Sequence, residues 1–213
     1  MFNLIYKELR LSAHPSSYIY MLLGALVLVP SYPYGMVFFF GCLSPYMTLM
    51  YGRETNDIFY TAMLPLKKRD TVKAKCLLIA LVQLMQLLIS LPFAVLRVHI
   101  LPAGNPAGIE ANVAFYGFGL LVYALFNVIF LTQFFKTAYK AGKAFVQAVI
   151  PAGLIIILME VLSHLPGLSW IDSTLPADML RQLPILLAGV LAYVLGMVVA
   201  YRVASKRFEK VDL

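Results

Sequence analysis

Leu11-Ser-Ala-His-Pro-Ser-Ser-Tyr-Ile-Tyr-Met-Leu-Leu-Gly-Ala-Leu-Val-Leu-Val-Pro-Ser-Tyr-Pro-Tyr-Gly-Met-Val-Phe-Phe-Phe-Gly-Cys-Leu-Ser-Pro-Tyr-Met-Thr-Leu-Met-Tyr-Gly52 contains no Lys, Arg, Asp or Glu. At ~1.5 Å per residue a single helix through it would reach roughly 60 Å, twice the hydrocarbon core of a bilayer. The chain must therefore turn back, and Pro30-Ser-Tyr-Pro-Tyr-Gly35 supplies the turn chemistry. Two spans are expected, 16–32 and 34–51, with Tyr18, Tyr20, Tyr32 and Tyr34 suited to the two interfaces.

The rest of the chain repeats this character. It is 62% hydrophobic and 13% charged, with a mean hydropathy of +0.84. Soluble domains carry about 25% charged residues, and a soluble fold could not clothe so much apolar surface. Four further spans are expected, at 76–96, 113–135, 144–164 and 183–203. The predicted fold class is all-α: a polytopic membrane protein of six transmembrane helices, read as one transmembrane domain over 1–213. An even number of spans puts both termini on one side. Fifteen of the 17 basic residues fall on that side, and only Arg97 and Arg181 fall on the other. The positive-inside rule makes the terminal side cytoplasmic. The net charge of +7 is thus accounted for by orientation in the cell membrane, and no nucleic-acid partner is implied.

Residues 2 to 10 read as a short amphipathic helix in the interface, with Phe2, Ile5, Tyr6 and Leu9 on its apolar face. His14-Pro15 breaks it before the first span. The start lacks the pattern of a cleavable signal peptide. Cys42 and Cys76 lie in or beside apolar runs and read as packing residues. Ser205 to Leu213 form a charged tail.

Charge is concentrated in Arg53 to Lys75, which holds Arg53, Lys67, Lys68, Arg69, Lys73 and Lys75 with Glu54, Asp57 and Asp70. Asn56 is placed to cap a short helix from Asp57 to Leu64, which Pro65 stops. Ile58, Phe59, Tyr60, Met63 and Leu64 give it an apolar surface. Asp70 or Thr71 is placed to cap the next helix. The residues alone allow two readings: a helix lying on anionic lipid, or a docking element for a protein.

Glu54-x-Asn56-x-Ile58, followed by Leu64-Pro65-x-x-x-Arg69-x-x-Val72-x-x-Lys75, resembles the first cytoplasmic loop of ABC-2 type transporter permeases. Leu4-Ile5-Tyr6-Lys7-Glu8-Leu9-Arg10 is similar to their N-terminal signature. The nearest branch is that of small bacterial permeases that include the phenol-soluble modulin exporters. The resemblance implies that 53–75 is a cytoplasmic coupling loop docking on a separate ABC ATPase, through Glu54, Asn56, Asp57, Ile58, Phe59, Tyr60, Met63, Leu64 and Pro65. It implies that residues 1–15 form a membrane-parallel elbow, and that the permease pairs with a second copy or a paralogue. It also implies re-entrant helices, an external gate, near Ser169 to Leu183. The basic rim of the island is then read as mostly topological.

No G-x-x-x-x-G-K-[ST] phosphate loop is present, so ATP and Mg are expected on the partner ATPase. His14, His99 and His164 are scattered, and no metal site is expected. Glu160 is the one acid inside a predicted span, with His164 a turn away. Gln83, Gln86, Asn127 and Glu160 are candidate pathway residues; for the amides, interhelical hydrogen bonding is the competing reading. Two other function classes stay open at this point: a membrane enzyme acting on lipid or peptide, and a non-transporting immunity or scaffold protein.

Overall fold

The computed structural model describes residues 2–100 and 104–211. Among them there is no strand, and eight α-helices follow in order: α1 (Phe2–Lys7), α2 (Ser16–Leu22), α3 (Gly35–Glu54), α4 (Asp57–Ala62), α5 (Lys68–Ile100), α6 (Val113–Phe134), α7 (Ala141–Ser163) and α8 (Pro176–Phe208). α1 continues as a π-helix, Glu8–Ser12, and α2 as a 3₁₀ segment, Leu23–Leu28.

The chain does bend at His14-Pro15. Asn3–Ser12 and Ser16–Leu28 lie 94° apart. The span expected over 16–32 is short and broken, and its 3₁₀ part presses on α5. A Cβ on Gly24 would come 2.6 Å from the backbone oxygen of Gln86. The N-terminal segment packs one edge on the rest of the protein. Leu4, Glu8 and Ser12 are buried, while Tyr6 and Leu11 are exposed. Glu8 is buried because it meets two counter-charges, Lys7 and Lys75.

Among the described residues four helices are long and apolar enough to cross a bilayer: α5, α6, α7 and α8, or five spans if the bent N-terminal pair counts as one. α3 has 20 residues, a spanning length, but Ser44, Pro45, Tyr46, Thr48 and Tyr51 dilute its apolarity. The expected boundaries hold within three residues for α3, α6 and α7. They fail for α5 and α8, each 33 residues and so about 50 Å long. Hydropathy sees only the apolar middle of such helices; their polar ends stay helical. Pro176 starts α8, where its missing N–H costs nothing. The segment 169–183 is therefore a 3₁₀ turn, Ser169–Ile171, and the first turns of α8.

α6 is the central post, 72% buried along its most apolar window against 17% for α7 and α8. It packs on α8 through small residues. A Cβ on Gly117 would lie 2.7 Å from the Ile185 backbone oxygen, and one on Gly189 would collide with the Gly117 carbonyl. Without a hydrophobic drive in lipid, such close backbone approach supplies the packing.

Helix ends sort into two groups. At one end Arg53 lies over the Tyr139 ring at 5.2 Å, Arg207 donates to the Thr132 carbonyl at 2.6 Å, and Arg69 pairs with Glu209. At the other, Arg97 donates to the Tyr34 hydroxyl at 2.7 Å and pairs with Glu110 at 3.3 Å. Gln182 there binds Trp170 and Ser173 carbonyls at 2.7 and 2.9 Å, tying α8 to the preceding loop.

Candidate functional site

α4 stands at the basic end, set off from α3 by one unusual residue. Asn56 has φ 53° and ψ 30°, the left-handed conformation that Asn tolerates better than most residues. Its side chain makes no capping bond. Asn56 marks the helix start as expected, but through its left-handed backbone in the turn between α3 and α4.

The two faces of α4 differ sharply. Ile58 and Thr61 are buried at 7% and 1%. Phe59, Tyr60, Met63 and Leu64 are exposed at 50%, 68%, 61% and 47%, and Glu54, Asn56 and Pro65 are exposed beside them. α4 ends at Ala62, two residues short of the Leu64 expected from Pro65, so Phe59 and Tyr60 lie on the helix and Met63 and Leu64 in the turn after it. Four large apolar side chains at a polar end are costly to leave in water, at about 25 cal/mol per Å².

Beneath α4 lies a charge cluster drawn from three separate elements. Lys75 Nζ, on α5, lies 2.6 Å from Glu8 Oε2 and 2.6 Å from Asp57 Oδ2. Lys7 Nζ lies 2.5 Å from Asp57 Oδ1 and 3.1 Å from Glu8 Oε1. Lys7 also donates to Thr61 Oγ1 at 2.9 Å, and Ser12 Oγ donates to Asp57 Oδ1 at 3.0 Å. Two cations and two carboxylates alternate, so the group is formally neutral. Side-chain exposure is 0% for Glu8, 1% for Lys75, 10% for Asp57 and 23% for Lys7. Burial by itself would raise the Asp57 carboxyl, but Lys75 and Lys7 outweigh it and hold the group below its ordinary value. Such a cluster is costly to break, because each member left alone is a buried charge.

Asp57 and Ile58 thus face the protein, while the remaining loop residues named from sequence face outward. Lys7 and Glu8 fall within the N-terminal signature, but nothing in the residue pattern joined them or Ser12 to Asp57 and Lys75. The available signal was a lysine at the mouth of an apolar run, Lys75, and an acid, Glu8, in a basic N-terminal segment. The basic residues of the island do more than set topology: Lys75 is locked in the cluster, and Lys68 donates to the Val211 carbonyl at 2.6 Å.

Gln83 and Asn127 exchange amide hydrogen bonds at 2.7 and 3.1 Å, and Tyr193 donates to Gln83 at 3.1 Å. Gln86 donates to the Val37 carbonyl at 3.0 Å and accepts from Tyr123 at 2.6 Å. All three amides are essentially fully buried. They tie α3, α5, α6 and α8 to one another. Glu160 accepts from the Ile109 backbone N–H at 2.9 Å and faces Gly35 at the start of α3. His164 does not pair with its carboxylate; the ring contacts the Glu160 carbonyl at 2.8 Å. Glu160 is therefore a tie between α7, the 104–112 loop and the positive end of α3. An apolar fissure of about 740 Å³ opens elsewhere, between α5 and the N-terminal halves of α6 and α8, lined by Leu84, Leu88, Val95, Tyr116 and Met179 among others. Among the described residues no cluster of metal-ligating side chains occurs.

The family model for ABC-2 family transporter protein matches residues 3–208. The chain belongs to the ABC-2 family. No curated protein and no solved structure matches it. ABC-2 proteins are membrane components of ABC transporters, typically without enzymatic activity of their own, and membership implies association with ABC ATPases. With its apolar helices, membership makes this a multi-pass membrane protein.

Proposed function

We propose that this chain is the permease subunit of a bacterial ABC exporter, and that α4 is its coupling helix. Phe59, Tyr60, Met63 and Leu64 form the docking face, with Glu54, Asn56 and Pro65 on its rim. Asp57 and Ile58 seat the helix from beneath. The observation that carries this reading is the two-faced α4: an apolar outer face at the basic end of an ABC-2 chain, mounted on a buried charge cluster. ATP and Mg belong to the partner ATPase, since the chain has no phosphate loop.

In this reading six segments cross the cell membrane, α3 and the bent α2 segment included, and both termini are cytoplasmic. The gathering of 15 of 17 basic residues at the α4 end supports that orientation. The segment before His14 acts as the elbow, and a second copy or a paralogue completes the transporter. The substrate is hydrophobic or amphipathic, with peptides as the leading class; the apolar fissure beside α5 suits such a molecule.

The test is purification of the chain with its ABC ATPase in lipid, followed by ATP hydrolysis with and without an amphipathic peptide. Stable association and peptide-stimulated hydrolysis are expected. Failure of any ABC ATPase from the same cells to associate would overturn the reading.

A further inference from the structure

α4 is joined to its neighbours unequally. Its link to α3 is the left-handed turn at Asn56, with no side-chain capping bond. Its links to the N-terminal helix and α5 are ionic and short. Lys7 holds both Asp57 and Thr61, Ser12 holds Asp57, and Lys75 holds Asp57 and Glu8 together. Both N-terminal acceptor and donor, Glu8 and Ser12, lie on the π-helical turn, a local widening found often at functional positions. An α-helix that simply continued α1 would carry the two side chains on a different phase.

We propose that Lys7, Glu8, Asp57 and Lys75 form a rigid joint that makes α4 move as one body with the N-terminal elbow and the start of α5, while the Asn56 turn lets α3 lag behind. A push on α4 then enters the membrane region through α5, whose continuous helix runs from Lys68 to Ile100 and carries buried Arg97 near its far end. Lys75 and Lys7 are positioning residues: they touch neither nucleotide nor the docking face. The proposal rests on α4 being the coupling helix.

The experiment uses the full chain with its ATPase in vesicles. A single reactive cysteine replaces Leu175, exposed at the far end before α8; the native Cys42 and Cys76 are buried. Maleimide labelling of that cysteine is followed with and without a non-hydrolysable ATP analogue. The otherwise unaltered chain should show a nucleotide-dependent labelling rate, changed at least threefold. Glu8→Gln with Lys75→Met removes one cation and one anion, so the remaining Lys7–Asp57 pair stays balanced. Lys7→Met, at the more exposed edge of the cluster, cuts α4 from the elbow with less risk to folding. Both should still co-purify the ATPase and yet lose the nucleotide response. Retention of the full response by both variants overturns the joint, as does a folded, ATPase-bound parent chain with no response. Failure of the parent chain to hold an ATPase instead overturns the coupling-helix reading on which the joint rests.

Discussion

Lys75 and Glu8 meet at 2.6 Å with side-chain exposures of 1% and 0%, and through that pair α5 is anchored to the N-terminal segment. The pair does not stand alone: Asp57 shares the same ammonium at 2.6 Å. Removing Lys75 leaves two carboxylates to one remaining cation. Lys75→Met should cost about 3–5 kcal/mol of stability. Adding Glu8→Gln should recover part of that loss, because contacting residues couple non-additively. Unfolding of the detergent-solubilised protein measures both; strict additivity would mean the pair is energetically idle.

The same cluster predicts a response to acid. The folded Asp57 carboxyl titrates below its ordinary value of 3.8 because Lys75 and Lys7 outweigh the effect of burial. A depressed carboxylate contributes stability that is complete above the unfolded value and lost as pH falls through the folded one. The melting temperature should therefore drop as pH falls below about 4. Asp57→Asn, already destabilised at neutral pH, should lose less across that window. An identical acid slope in both proteins would remove Asp57 from the account.

Asn127→Leu should destabilise by about 0.5–2 kcal/mol, the range for hydrogen bonds between membrane helices. It strands Gln83, whose amide pairs with Asn127 at 2.7 and 3.1 Å. A pathway residue would behave differently, altering transport with stability unchanged. Unfolding in mixed micelles beside a transport assay separates the two.

Gly189→Val should abolish correct packing of α6 on α8, since a Cβ there collides with the Gly117 backbone. Gly153→Ala, on α7 with nothing within 4 Å of the added atom, should be tolerated. Size-exclusion profiles and yields of the purified proteins report the contrast.

Much of this was legible in the residues. Apolar runs without charge locate the middles of helices, and Pro and Gly clusters locate turns, so α3, α6 and α7 emerge nearly at their true limits. Hydropathy alone misses helix ends that charge continues, as at Arg202–Phe208; at Lys68–Lys75 the capping residues Asp70 and Thr71 place the start of α5 within three residues. In the N-terminal segment Glu8, which the apolar pattern assigned to neither face, is buried because Lys7 and Lys75 neutralise it. That pairing joins segments far apart in sequence, which no local pattern encodes. The island at Arg53–Lys75 contains both the buried Asp57 and Lys75 pair and the exposed apolar side chains at 59–64. Its internal division, Asp57 and Ile58 inward, Phe59 and Tyr60 outward, required the fold.

The measurement that tests the central claim most directly is ATPase retention by α4-face variants. Tyr60→Asp and Met63→Asp change side chains that are 68% and 61% exposed, so folding should be preserved. Each should lose the co-purifying ABC ATPase by tenfold or more while eluting as the folded parent protein does. Folded variants that hold the ATPase at the parent level would contradict the assignment of α4 as the coupling helix.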